Sequence, residues 1–273
     1  MKTWFSILCL SLSLSLTGAD LIVKSPDGNL KVMLGLSETG QLTYEVTYKE
    51  KQVLEPSPLG MVTNVSDFSS NLSFVENKEQ PVRKFYRQDR IKRSEVNYKA
   101  NELVAVYQTP RKEKISVVFR VANNDVAFKY QLAQQGETAR CIVEKELSGF
   151  NFPDFTTTFL TPQATPMIGW MRTKPSYEEE YVADEPVGTP SKYGVGYTFP
   201  GLFRIGAHGW ALVSETGVGS LYAGAKLSEG TKEGLYTIAF PEPGENNGLG
   251  AANPAIALPG ETPWRTITIG DNL

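Results

Sequence analysis

Residues 101–132 read NELVAVYQTPRKEKISVVFRVANNDVAFKYQL, and the fold turns on this stretch. It holds three short apolar runs, Leu103 to Tyr107, Ile115 to Phe119 and Val126 to Tyr130, rich in β-branched and aromatic side chains. Runs of this length suit strands, since a helix needs about 10–12 residues to declare its period. Asn123-Asn124-Asp125 separates the second run from the third, and such residues favour a tight reversal. Working outward, Leu30, Val32 and Leu34 alternate after Pro26-Asp27-Gly28, while Leu42, Tyr44, Val46 and Tyr48 alternate after Glu38-Thr39-Gly40. Together they predict a hairpin. Downstream come Gly201 to Ile205, Trp210 to Ser214, Tyr236 to Phe240 and Thr266 to Ile269, the last opening just after Trp264 and Arg265. About a dozen short strands with few helix-length periods predict an all-β sandwich of two large antiparallel sheets.

The length of 273 residues suits one such sandwich, and no internal boundary is expected. One stretch is different. Between Gly149 and Pro200 the prolines 153, 162, 166, 175, 186, 190 and 200 interrupt the chain, with aromatics between them. A loop of that length inside a compact domain is uncommon and often functional. At the other end, Lys2, an apolar run from Trp4 to Leu16 and then Thr17-Gly18-Ala19 have the plan of a secretory signal. Cleavage before Asp20 is expected, with export to a periplasmic or extracellular location. It would remove Cys9 and leave Cys141 alone, a small buried thiol. No segment of the mature chain is apolar enough to span a membrane.

Composition narrows the chemistry. A net charge of −3 with no long basic run leaves no electrostatic footprint for nucleic acid. One His and two Cys remove most metal-finger and multi-histidine sites. His208, in Gly206-Ala207-His208-Gly209, reads as a turn residue facing water. The chain contains no Gly-x-Ser-x-Gly elbow, Walker loop or His-Glu-x-x-His helix. What remains is the run Trp170-Met171-Arg172-Thr173-Lys174-Pro175-Ser176-Tyr177-Glu178-Glu179-Glu180-Tyr181. Its three adjacent carboxylates could serve a hard cation such as Ca²⁺. Equally, Ser176 could cap a short helix whose Glu179 closes a capping box. Trp170, Tyr177 and Tyr181 could stack on a sugar or fill the gap between loop and sheet.

Several segments carry a family likeness. Ser25-Pro26-Asp27-Gly28-Asn29-Leu30, Asn124 to Tyr130, Trp170 to Tyr181, Phe199-Pro200-Gly201-Leu202-Phe203, Trp210 to Glu215 and Thr262 to Asp271 occur in order across nearly the whole mature chain. On these segments residues 20–273 resemble the N-terminal domain of glycoside hydrolase family 97. The resemblance implies a β-super-sandwich of the galactose mutarotase-like kind. It implies a partner, a (β/α)₈ barrel acting on α-glucosides or α-galactosides, which would begin about where residue 273 falls. It also implies a Ca²⁺ between the two domains, with Glu178 as the matching ligand and Glu179 and Glu180 as alternates. Trp170, Tyr177 and Tyr181 would wall the sugar site, and no catalytic residue is assigned to this chain. Two other readings stay open: a stand-alone sugar mutarotase, for which a lone turn histidine is poor equipment, and a free carbohydrate-binding module.

Overall fold

The structure, a computed structural model, describes residues 20–90, 94–134, 136–164, 180–220, 222–245 and 250–273. Strands are numbered here in chain order. A seven-stranded sheet runs β1 (Leu21–Lys24), β2 (Leu30–Leu36), β3 (Leu42–Tyr48), β4 (Lys51–Leu59), β11 (Gly149–Asn151), β17 (Leu235–Ala239) and β16 (Lys226–Leu227). A ten-stranded sheet begins β13 (Val182–Pro186), β12 (Thr157–Leu160), β14 (Gly201–Arg204), β15 (Trp210–Thr216) and β20 (Trp264–Gly270). It continues β9 (Asp125–Leu132), β8 (Lys114–Ala122), β7 (Glu95–Gln108) and β6 (Ser73–Arg87), with β19 (Gly260–Glu261) also on β9. A small third sheet joins β18 (Ala255–Ala257), β10 (Arg140–Glu146) and β5 (Met61–Thr63). Among the described residues helix is confined to short 3₁₀ turns such as Gly206–His208. The expected all-β sandwich is the observed fold.

The three runs that opened the argument form β7, β8 and β9, and the expected hairpin is β2–β3, with Leu30, Val32 and Leu34 opposite Tyr48, Val46 and Tyr44. Period-2 alternation drives this, because one face of each strand must leave water. Tyr44 crosses the interior to meet Phe119 and Phe128, with ring centroids 5.5 and 5.2 Å away. Buried phenols need partners. Tyr44 donates to the Gly149 carbonyl at 2.8 Å, and the Tyr130 hydroxyl takes the Gly60 N–H at 2.9 Å and shares a 2.8 Å hydrogen bond with Ser148. Cys141 is buried on β10, as expected for an unpaired thiol, and burial pushes its pKa up.

Three expectations change. Strand content exceeds the predicted dozen, because β6 and several short strands carry no clean apolar pattern. The Pro-rich segment after Gly149 is not one long loop, since β11, β12 and β13 lie in it. The last strand opens at Trp264 rather than after Arg265, and alternation therefore sends Arg265 inward beside Ile267 and Ile269.

Candidate functional site

Of the residues singled out in the sequence, Trp170, Tyr177, Glu178 and Glu179 lie outside the described residues, and so does the Ser176 cap. Glu180 and Tyr181 are described. Both are exposed, Tyr181 by 61%, immediately before β13. That strand is the rim of the ten-stranded sheet, held on β12 by pairing from Thr157–Pro186 to Leu160–Val182. Thr157 donates to Asp184 at 2.6 Å and Arg204 forms an ion pair with it, so the Asp184 carboxyl titrates below its ordinary range. Residues 182–186 are therefore anchored at the sheet edge. Among the described residues no group of three or more His, Cys, Asp or Glu converges, so Glu180 alone there fits a single ligand position and no more.

A buried charge cluster was not legible beforehand. The Arg265 side chain is 0% exposed. Its Nε and Nη2 donate to Glu146 Oε1 and Oε2 at 2.9 and 2.6 Å, and Nη1 donates to Glu215. Tyr222 donates to Glu146 Oε2 at 3.1 Å, and the Ala225 N–H donates to Glu215 Oε1 at 2.9 Å. Burial opposes the guanidinium charge, yet Glu146 and then Tyr222 and Glu215 raise its pKa. Burial likewise raises the Glu215 pKa, and Arg265 opposes that rise. Both carboxylates are committed to the cation, so the cluster joins β20, β10 and β15 and offers no acid/base pair.

The outer face of the ten-stranded sheet carries a second polar row. Gln80 Nε2 donates to Glu102 at 2.8 Å, and Arg120 forms an ion pair with the same carboxylate. Arg120 and Lys129 approach the Trp264 ring at 4.7 and 4.6 Å, and Lys129 continues to Glu261. Cation–π contacts leave little of this indole for a sugar to stack on. At the end of the row burial raises the Asp125 carboxyl from 3.8 to about 6, against the lowering effect of a 3.0 Å hydrogen bond from Thr268. Between those two values the folded chain holds more protons than the unfolded one, so stability falls as pH rises through that window. Asp125→Asn is expected to flatten this slope and to stabilise the chain at pH 7 by about 1–2 kcal/mol. Urea unfolding from pH 4 to pH 7 measures it, and parallel profiles for the two proteins would refute the assignment.

His208 sits in a turn between β14 and β15, as expected, but it does not simply face water. Half-buried, it donates from Nδ1 to the Gln52 carbonyl at 3.0 Å, and Phe155 meets its ring edge-on at 5.0 Å. A backbone carbonyl in that place is a structural partner, which removes support from a mutarotase acid. Two of the depressions among the described residues bear on a site. One is an apolar groove of about 280 Å³ beside Tyr222, Ile256, Pro259 and Pro263. The other, about 360 Å³ and mostly polar, is lined by Gln163, Thr198, Phe199, Glu215, Lys226 and Glu245 among others.

Fold and site among the described residues define an all-β sandwich whose buried Glu146, Glu215 and Glu102 are each paired with an arginine. The glycosyl-hydrolase 97 N-terminal family matches residues 23–273, and the chain belongs to it. A crystal structure of a β-arabinopyranosidase is 52% identical, superposes with a TM-score of 0.90, and is matched over 93% of this chain and 40% of that one. A family 97 enzyme from Pseudoalteromonas sp. strain K8, solved with panose, has the same fold at 23% identity and TM-score 0.77, over 92% of this chain and 36% of that one. A probable retaining α-galactosidase of Streptomyces bingchenggensis is 26% identical over 236 residues, 85% of this chain and 32% of that protein. The chain thus spans about a third or less of the length of the curated relatives it matches.

Proposed function

We propose that this chain is the N-terminal sandwich of a glycosidase, packed on a catalytic barrel whose sugar site it helps to wall. The observation that carries the reading is the 52% identity with a β-arabinopyranosidase over 93% of the chain, against 26% with an α-galactosidase. It moves the expected substrate from α-glucosides and α-galactosides toward β-arabinopyranosides, and we take the L series because it shares the ring configuration of an α-D-galactoside. The α-galactoside reading survives as the second choice, because a β-L-arabinopyranoside has the ring configuration of an α-D-galactopyranoside without its C5 hydroxymethyl group. A pocket shaped for the smaller ring is worth about 10-fold or more in discrimination against the larger one. Initial rates of the complete enzyme on nitrophenyl β-L-arabinopyranoside and α-D-galactopyranoside test this; a faster galactoside overturns the substrate choice.

In this reading Trp170, Tyr177 and Tyr181 face the sugar, and Glu178, with Glu179 and Glu180 as alternates, gives Ca²⁺ one carboxylate. The exposure of Glu180 just before β13 supports this reading for that alternate, whose carboxylate is open to a partner domain. Calcium would supply a fixed positive charge between the domains, and it collects 6–8 oxygens, far more than one loop glutamate provides. The chain alone is therefore expected to bind it at about millimolar Kd or weaker. In the complete enzyme Glu178→Gln should lower calcium affinity, whereas Glu179→Gln should cost a helix cap, about 1 kcal/mol or less. Calcium titration by calorimetry reads the first and urea unfolding the second. The export signal belongs to the same proposal, with Asp20 as the mature N-terminus found by N-terminal sequencing.

A further inference from the structure

The 360 Å³ pocket has features that packing does not explain. Gln163 is 4% exposed, and its Nε2 is buried without a hydrogen-bond partner. An unpaired buried donor is costly, and native structures keep few of them. Its surroundings are rigid. The Gln163 N–H donates to the Gly196 carbonyl at 2.8 Å, Thr198 N–H donates to Thr161 at 2.9 Å, and Tyr197 exchanges two 2.9 Å hydrogen bonds with Leu227. The pocket is thus pinned between three strand-like segments that are far apart in sequence.

The lining selects a ligand class. Lys226 is 5% exposed and spends one of its three N–H groups on Glu242 at 2.9 Å. Glu215, whose oxygens already accept from Arg265 and the Ala225 N–H, and Glu245, which accepts the Glu242 N–H, keep second lone pairs as acceptors, Thr198 adds a hydroxyl, and Phe199 and Pro241 add apolar surface. Two carboxylates, Glu215 and Glu245, line the pocket against one ammonium already paired with Glu242, and that balance repels a phosphate. A divalent cation is equally badly served, since no three acidic groups converge among the described residues. Donors and acceptors interleaved beside an apolar patch suit a neutral ring that carries several hydroxyls on one face and C–H groups on the other. The volume is near the low end of small-molecule sites, which run from about 300 to 1,000 Å³.

We infer that this pocket binds a single pyranose ring, with the Gln163 carboxamide and Lys226 as hydroxyl partners and Phe199 under the C–H face. As it stands the Gln163 Nε2 is closed off from the pocket; rotation of the carboxamide about one bond turns the donor toward a ligand and puts Oε1 in its place. The site stands on its own residues, whatever glycoside the complete enzyme cleaves.

The test is a titration of this chain, labelled with ¹⁵N, using methyl β-L-arabinopyranoside and methyl α-D-galactopyranoside, with open-chain sorbitol and inorganic phosphate as controls. Saturable shifts of the Gly224, Ala225 and Lys226 amides are expected with a pyranoside and not with the controls. Gln163→Met should weaken binding about 3-fold to 10-fold, as loss of one hydrogen bond does. The same variant removes an unpaired buried amide and should raise Tm by about 2–4 °C. Thr198→Val, which leaves the amide in place, should also weaken binding. Absence of saturation by either pyranoside overturns the inference, as does equal response to phosphate. Pyranoside binding unchanged in both variants puts the sugar elsewhere and overturns it too. Because no step needs hydrolysis, failure here is distinct from failure of the glycosidase reading.

Discussion

Arg265→Met is expected to lower the unfolding free energy by about 3–5 kcal/mol, since it strands two carboxylates that share one buried cation. Glu146 has a side chain 0% exposed, so water cannot replace its guanidinium, while Glu215, 13% exposed at the polar pocket, is only partly shielded. Removing one member of a desolvated ion cluster is worse than removing all of it, because the charge left behind carries the whole desolvation penalty. The chain with Arg265→Met, Glu146→Leu and Glu215→Leu together should therefore recover most of the loss. At about 2–4 °C per kcal/mol for a domain of this size, the single variant should melt about 10 °C lower. Urea and thermal unfolding followed by circular dichroism measure both proteins. A loss under about 1 kcal/mol, or a triple variant no better than the single one, would show that the cluster is hydrated in solution.

The second large effect concerns catalysis. This chain by itself should not hydrolyse nitrophenyl β-L-arabinopyranoside or α-galactoside, whereas under the proposed function the same chain joined to a catalytic barrel should do so with a rate enhancement of many orders of magnitude. Glycoside cleavage normally needs two carboxyl groups flanking the scissile bond, one to protonate the leaving oxygen and one to attack or to activate water. The buried carboxylates of the sandwich are already spoken for: Glu146 and Glu215 by Arg265, Glu102 by Arg120 and Gln80. The Asp125 carboxyl titrates at about 6 but spends an oxygen on Thr268 within the sheet. Nitrophenolate release by purified chain, free of any co-purifying hydrolase, would refute this directly.

Much of the fold is written in local pattern. The β2–β3 hairpin and strands β7, β8 and β9 could be read because each buries at least one face, and burial forces apolar residues to every second position. β6 escaped for the opposite reason. Its fifteen residues are nearly all exposed, from Ser73 to an Arg87 opposite Glu95, and Phe85 is 68% exposed. Beyond the Ala100–Ala122 pair that closes β7 on β8, residues 83–87 and 95–99 pair with one another and, among the described residues, with no other strand. A strand without a buried face leaves no alternation to find.

The family, the all-β class, the buried fate of Cys141 and the turn around His208 followed from the residues in order, because these depend on neighbours in sequence or on motifs spread evenly along it. Tertiary structure alone decided where charge could enter the core. Nothing near Arg265 in sequence announces a buried cation, because Glu146 and Glu215 arrive from β10 and β15, 119 and 50 residues away. The polar pocket is of the same kind, assembling Gln163, Thr198 and Lys226 from segments joined only by sheet pairing. Burial of an ion or an amide depends on partners supplied across the sandwich, and a one-dimensional reading has no means of pairing them.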